Sequence, residues 1–161
     1  MDFIVRKVQR SDNSSLAEII RDAFVEFDAP RTGTVYSEPT TDKLYQLFHN
    51  QKDAVLFVAE NKTEVLGCCG IYPTKGLESD TAELVKFYLS KASRGKGIGK
   101  QLFEQSIEAA KQMGYKKLYI ESQPKFNTAL GLYEKYNFNY LDQPLGDSGH
   151  GNCDIWMLKN L

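Results

Sequence analysis

One segment, Arg94-Gly95-Lys96-Gly97-Ile98-Gly99-Lys100, constrains what this chain can fold into more than any other. It follows an apolar run, Thr81 to Leu89, that reads as a strand. It opens a stripe at helical spacing, Ile98, Leu102, Phe103, Ile107, Ala110 and Met113, which Gly114 ends as a C-cap. The first backbone N–H groups of a helix have no partner inside it, and the helix dipole favours an anion beside them. Glycines there remove the Cβ atoms that would hold a phosphate away, and Arg94, Lys96 and Lys100 add positive charge. The chemistry implied is pyrophosphate binding. The plainer alternative is a solvated basic turn whose glycines only relieve backbone strain.

The remainder of the chain agrees with a layered fold. Phe3 to Gln9 alternates apolar and charged residues, as a half-buried strand does. Ser11-Asp12-Asn13 offers N-cap residues to a helix carrying Leu16, Ile19, Ile20, Ala23, Phe24 and Phe27. A loop follows to Thr41, and Thr41 or Asp42 can cap a second helix with Leu44, Leu47 and Phe48. Ala54 to Glu60 and Val65 to Tyr72 read as a hairpin, and Thr81 to Leu89 as a third strand beside it. Beyond the glycine loop and its helix, Leu118 to Glu121 is a short strand, and Pro124 precedes a helix with Ala129, Leu132, Tyr133 and Tyr136. Phe138 to Leu141 and Asp154 to Leu158 close the chain as strands. The order predicts an α/β fold, a central mixed and mostly antiparallel sheet with helices on both faces.

Length and charge exclude several classes. With 161 residues the chain is the size of one domain and can bury a core without disulfides or a metal. A net charge of -1 argues against broad nucleic-acid binding. Neither a signal-peptide apolar region nor a membrane-span length is present, Ala54 to Ala59 being too short, so a cytoplasmic protein without a membrane partner is expected. Cys68, Cys69 and Cys153 form no CxxC pair and no His/Cys cluster, so no metal site is expected. On a strand, Cys68 and Cys69 point to opposite faces.

Three phosphate-binding patterns compete for the glycine loop. A Walker A loop needs Gly-Lys-Ser/Thr four residues after its first glycine; here three residues separate Gly95 from Gly99, and Gln101 follows Lys100. The dinucleotide fingerprint needs G-x-G-x-x-G, and this segment reads G-x-G-x-G. The pattern Gln/Arg-x-x-Gly-x-Gly/Ala fits through Arg94, Gly97 and Gly99. With it, Glu83-Leu84-Val85-Lys86-Phe87-Tyr88-Leu89 before the loop and Leu132-Tyr133-Glu134-Lys135 then Phe138 after it, the sequence resembles the GNAT superfamily of acyl-CoA-dependent N-acetyltransferases. The resemblance runs over residues 1–161 and implies a single N-acetyltransferase domain with acetyl-CoA as cosubstrate.

The resemblance also implies roles. The backbone from Arg94 to Lys100, through Gly95, Lys96, Gly97, Ile98 and Gly99, would hold the CoA pyrophosphate, and Phe87, Tyr88 and Leu89 would pair with the pantetheine arm. The strands around Phe87 and Leu118 would splay to admit it, and a bulge in the first would free an N–H for the thioester carbonyl. Tyr133 would be the acid near the CoA sulfur; its alternative is a core tyrosine. Many members carry Asn seven residues before this tyrosine, where Phe126 stands here; Asn127, one residue on, takes the cofactor role in its place. Asn137 replaces the usual Gly before Phe138, and Asn tolerates a left-handed backbone.

Acetyl transfer needs a neutral amine, so a base helps. Glu83, a lone carboxylate among apolar residues on the strand leading to the loop, is the candidate; the alternative is an ion pair with Lys86 or another cation at the strand's start. On an ideal strand Glu83, Val85, Phe87 and Leu89 share one face. His150, in the Gly-rich loop before the last strand, is a second candidate for contact with substrate. The first loop, Phe27 to Tyr36, lines the acceptor pocket in the family, with Arg31 to hold a carboxylate and Asp28 an amine. The expected partner is a small-molecule amine or amino acid, not a nucleic acid, with a homodimer left open. A non-catalytic acyl-CoA sensor would keep the loop but need neither Tyr133 nor Glu83. A nucleotide-binding regulatory domain would need a Ser/Thr where Gln101 stands.

Overall fold

The computed structural model describes residues 2–161. Seven strands form one sheet: β1 (Ile4–Lys7), β2 (Val55–Glu60), β3 (Val65–Tyr72), β4 (Thr81–Leu89), β5 (Lys117–Ser122), β6 (Asn139–Leu141) and β7 (Ile155–Asn160). Their order is β1-β2-β3-β4-β5-β7-β6. Only β4 and β5 pair in parallel; every other pairing is antiparallel. The four helices are α1 (Asn13–Glu26), α2 (Leu44–His49), α3 (Ile98–Gln112) and α4 (Asn127–Lys135). This is the mixed, mostly antiparallel sheet that the element order predicts.

Two apolar cores lie on the two faces of the sheet. Leu16, Ile20 and Phe24 of α1 and Leu44 and Phe48 of α2 pack on Leu56, Val58 and Cys68. Ile98, Leu102, Phe103, Ile107 and Ala110 of α3, with Leu130 and Tyr133 of α4, pack on Val55, Phe57, Cys69 and Leu84. The central strands are buried on both faces, which is why β2 and β3 read as continuous apolar runs rather than as alternation. Cys68 and Cys69 fall in opposite cores, as strand periodicity requires.

Local chemistry differs from expectation at the helix starts. Neither Thr41 nor Asp42 caps α2. The Thr41 hydroxyl donates to Val35 O at 2.6 Å, and Asp42 pairs with Arg21 at 2.6 Å. Asn13 of α1 does the work instead: its Oδ1 accepts from the Tyr45 N–H at 2.8 Å. Asp12, buried, accepts from Gln9 N at 2.7 Å and from Arg6 at 2.8 Å, and Arg6 also reaches Glu60 on β2. Met113 lies at the C-cap of α3, 39% exposed, rather than on its buried stripe. Asn137 takes φ +68 and turns the chain from α4 towards β6, as an asparagine can.

Candidate active site

The site is built where β4 and β5 part. They pair only from Thr81 to Glu83, against Lys117 to Tyr119, and then separate. On its other edge β4 carries an extra residue: Val85 faces Gly70, but Tyr88 faces Cys68. Lys86 supplies the bulge with φ +56, a left-handed conformation that costs a non-glycine residue about 1–2 kcal/mol. Its ammonium is buried and pairs with Glu38 at 3.3 Å, and its carbonyl accepts from the Cys68 thiol at 3.0 Å. The extra residue reverses the alternation. Val85 packs in the core under α1, whereas Phe87 and Leu89 pack in the core under α3. The expected shared face for Glu83, Val85, Phe87 and Leu89 is therefore corrected: it breaks at Lys86.

Below the fork, a groove of about 510 Å³ runs between β4, the glycine loop and α4. Phe87, Tyr88 and Leu89 form its wall, and Arg94, Gly95, Gly97, Gly99 and Lys100 form one end. The glycines divide in purpose. Gly95 and Gly97 have φ +74 and +81, and a Cβ on either would meet open space, so they are required by backbone conformation. A Cβ on Gly99 would lie 3.0 Å from Leu89 Cδ1 and 3.4 Å from Phe87 Cζ, so Gly99 lets α3 approach β4. Gly97 stands at the N-cap of α3, Gly97, Gly99 and Lys100 line the groove, and the first N–H groups of a helix have no partner inside it. Such a cradle suits a pyrophosphate.

The cations of the loop are not equivalent. Arg94 pairs with Glu26 of α1 at 2.5 Å, stacks 4.9 Å from the Phe27 ring centroid and donates to Leu89 O at 3.2 Å. It ties the loop to α1 while lining the groove. Lys100 lies 3.8 Å from Glu104 on the exposed side of α3. Lys96 is exposed and outside the groove lining, and the Ile98 side chain is fully buried in the core, so Ile98 can offer only backbone. Asn127 also lies outside the lining; its neighbours Phe126 and Thr128 take that place.

Beside the groove, at the fork, lies a chamber of about 90 Å³ that shares Phe87, Tyr88, Phe126 and Ala129 with it. Glu83 and Tyr133 both line it. Glu83 is buried and accepts from the Thr74 hydroxyl at 2.6 Å, so the alternative of a pair with Lys86 does not occur. Burial pushes its carboxyl up to about 7, the Thr74 bond opposing and the nearby Glu121 charge adding to the shift. The Tyr133 ring is held by Phe103 at 5.6 Å, Phe138 at 5.9 Å and Phe87 at 6.3 Å. Burial holds its phenol well above the ordinary range. Tyr133 is thus both a core residue and a wall of the chamber.

A second pocket of about 380 Å³ lies on the α2 side of the sheet and shares Glu83, Val85, Lys86 and His150 with the chamber. Loops that are far apart in sequence meet here. His150 Nε2 hydrogen-bonds Glu38 Oε1, and its Nδ1 lies 3.7 Å from Glu121 Oε1. Burial opposes charge on His150, but the Glu38 bond prevails and raises its pKa above the ordinary value. Burial likewise opposes charge on Glu38, yet His150 and Lys86 hold its carboxyl below the usual range. Glu121 accepts from Tyr119 at 2.7 Å and from Ser148. Cys153 lies beside them, its thiol pushed up to about 12 by burial and by the Glu121 charge. One buried oxygen in the chamber wall, Gln123 Oε1, has no hydrogen-bond partner.

The first loop enters the site through other residues than those expected. Phe27 lines the groove, not the second pocket. Asp28 is exposed at φ +50, 3.9 Å from Lys125, because it turns the chain out of α1. Arg31 points outward over Tyr36, 5.2 Å from the ring centroid, and Tyr36 packs on Phe24 at 5.9 Å. None of Asp28, Arg31 and Tyr36 lines the three cavities; Thr34, Val35 and Glu38 do. Sequence reasoning missed Glu38, Lys86, Glu121 and Gln123. For Glu121 a signal existed, a carboxylate inside an apolar strand like Glu83. Glu38 carried none, since its partner His150 lies 112 residues away.

Comparisons with known proteins agree with this geometry. The model of the acetyltransferase (GNAT) family matches residues 15–138. The chain is 36% identical to the Escherichia coli (strain K12) protein named uncharacterized N-acetyltransferase YjgM, over 98% of this chain and 95% of that one. The fold matches a Staphylococcus aureus GNAT acetyltransferase with TM-score 0.86, 21% identity and 99% of both chains covered. It also matches the PaiA N-acetyltransferase of Thermoplasma acidophilum, solved with coenzyme A, with TM-score 0.76, 20% identity and 100% of both chains covered. The glycine cradle, the bulged and splayed strands and these matches together place the chain in the GNAT family of acetyltransferases.

Proposed function

We propose that the protein moves the acetyl group of acetyl-CoA to a primary amine of a small molecule or amino acid, by direct attack in a ternary complex. The observation that carries this reading is the adjacency of three cavities through common walls. A groove with an anion cradle shares Phe87, Tyr88, Phe126 and Ala129 with a narrow chamber lined by Glu83 and Tyr133, and that chamber shares Glu83, Val85, Lys86 and His150 with a second pocket. Donor and acceptor reach one another without a covalent enzyme intermediate. The chamber of about 90 Å³ admits an amine and its nearest atoms, and the second pocket of about 380 Å³ suits a small acceptor.

The residues divide the work. Backbone N–H groups from Gly95 to Gly99 bind pyrophosphate, and the β4 edge from Phe87 to Leu89 aligns the pantetheine arm. The Lys86 bulge leaves unpaired backbone on β4, which supplies a donor to the thioester carbonyl. Glu83, its carboxyl raised by burial to about 7, takes one proton from the acceptor ammonium and later returns it to solvent; the freed lone pair attacks the carbonyl carbon, the C–S bond breaks to release CoA thiolate, and the second proton lost from the nitrogen passes to that thiolate or to solvent, leaving a neutral amide. Tyr133 stays protonated and gives a hydrogen bond to the departing sulfur. A thiolate of pKa about 8.5 leaves without full proton transfer.

The test is release of CoA thiol from acetyl-CoA against a panel of amino acids, polyamines and aromatic amines, with mass spectrometry of the products. An N-acetylated small amine is expected. Efficient acetylation of protein lysines, with every small amine inert, would replace the acceptor assigned here.

A further inference from the structure

The chamber holds a set of side chains that the acetyl-transfer steps leave unused. Glu121, His150 and Cys153 each present one donor atom, and these atoms lie within 4.8 Å of one another. No spacing in the sequence announces them as a set: Glu121 comes from β5, and the other two from the loop before β7. The expectation that the chain contains no His/Cys cluster is corrected here by the fold, which closes that loop onto β5.

We propose that Glu121, His150 and Cys153 form a binding site for a thiophilic divalent cation of the zinc class, and that the bound cation closes the chamber. One pair of donor atoms already lies near tetrahedral spacing, and Cys153 Sγ lies within 4.8 Å of both. Zinc bonds of about 2.0–2.1 Å to nitrogen and oxygen place those two atoms roughly 3.4 Å apart. His150 Nδ1 and Glu121 Oε1 lie 3.7 Å apart. The surrounding bonds are those that orient metal ligands. In the neutral tautomer whose Nε2–H donates to Glu38, the Nδ1 lone pair of His150 would face Glu121 and be open to the cation. Tyr119 fixes Glu121 through Oε2 at 2.7 Å and leaves Oε1 for the cation, with the Ser148 hydroxyl on its remaining lone pair.

Gln123 is the second, independent observation. It is 4% exposed, lines the same chamber and carries an oxygen with no partner. A buried carbonyl oxygen left unsatisfied costs about 1–3 kcal/mol. The Gln123 side chain reaches the Cys153 thiol, which places its amide beside the cluster, and a water on the cation's fourth position would satisfy the oxygen. The donor set of thiolate, imidazole and carboxylate selects zinc over magnesium or calcium, which take oxygen ligands. On binding, the Cys153 thiol and any imidazolium at His150 release protons to the buffer. The chamber also holds Glu83 and Tyr133. Zinc there separates the two larger cavities, a consequence for turnover that rests on the acetyl-transfer reading; the binding itself does not.

The experiment is titration of the purified full chain with Co²⁺, read by absorption, and with Zn²⁺, read by calorimetry, without acetyl-CoA. One equivalent is expected to give a tetrahedral cobalt spectrum with a thiolate charge-transfer band. That band reports Cys153, because Cys68 and Cys69 are fully buried. Cys153→Ser should abolish the band and weaken zinc by at least about 10-fold. Glu121→Gln, which keeps the side-chain shape, should weaken zinc comparably. A cobalt spectrum without the thiolate band, or unchanged zinc affinity in both variants, overturns the site. The shift of melting temperature with acetyl-CoA, measured separately, tests the acetyl-transfer reading alone.

Discussion

A carboxyl group that lines a narrow chamber loses hydration before it loses its proton, and Glu83 shows the result. Its value of about 7 comes from burial, and it leaves a mixture of acid and base at neutral pH, where a general base works best. Glu83→Gln preserves shape and an oxygen for the Thr74 hydroxyl while removing the base. We expect kcat/KM to fall near pH 7 and to recover in part towards pH 9, as free amine becomes abundant. A flat ratio to the native enzyme across that range would give Glu83 a structural role. Tyr133 is a weaker contributor by the same physics. Burial strengthens its hold on the proton, and the leaving thiolate needs little help. Tyr133→Phe keeps the ring against Phe87, Phe103 and Phe138. A loss on the order of 10²-fold in kcat, the low end for a positioned acid, is expected with acetyl-CoA affinity unchanged. A loss of affinity with kcat intact would make the hydroxyl a cofactor ligand only. Both residues were legible in the sequence, Glu83 as a charge in an apolar strand and Tyr133 through its motif. Lys86 was not, because a left-handed lysine is held by tertiary bonds to Glu38 and Cys68 that no local pattern encodes.

At the scale of elements, the glycine loop combines two demands that the sequence presented as one. Gly95 and Gly97 answer to backbone conformation at the cradle, and Gly99 answers to the packing of α3 on β4. The substitutions should separate them. Gly97→Glu adds a like charge to the anion site and a side chain at φ +81, so the rise in melting temperature that saturating acetyl-CoA gives the native protein should disappear. Gly99→Ala asks Leu89 Cδ1, the tip of a flexible side chain at 3.0 Å, to move. It should lower the melting temperature of the free protein and keep most of the acetyl-CoA shift. Equal loss of the shift in both variants would mean that all the glycines serve one purpose. The elements themselves were legible because helical stripes and strand runs repeat over many residues. The bulge was not: an ideal period of two carried Glu83 and Phe87 to one face, and one extra residue undid it. Nor was the inner end of the first loop. Arg31 and Asp28 carry the charges a substrate would want, but the packing of Tyr36 on Phe24 turns Arg31 outward.

For the molecule as a whole, the chamber exacts a cost in stability that depends on pH. A glutamate in the unfolded chain has its ordinary value of 4.5, and Glu83 in the fold is raised to about 7. Between these values the folded state binds more protons than the unfolded one, so stability falls as pH rises through the window. Below about pH 4.5 Glu83 costs nothing; above about pH 7 the cost is complete, with an upper limit of about 3 kcal/mol. His150 adds to the same trend by another route. Its raised pKa stabilises the protonated fold at low pH, and that contribution is lost as pH climbs through the folded value. Glu38, held low by His150 and Lys86, acts in the opposite sense, contributing above its unfolded value and failing in acid. A single melting curve therefore mixes these groups with other shifted carboxyls such as Asp42 and Glu60, and a difference between two proteins isolates one. We expect Glu83→Gln and the native chain to melt alike near pH 4. The variant should then gain progressively up to about pH 8 and hold a constant advantage beyond it. Thermal denaturation at a series of pH values, without ligand, reads this directly. A constant difference from pH 5 to pH 8 would mean that Glu83 ionises at its ordinary value. In that case the enzyme would obtain its free amine without a tuned base.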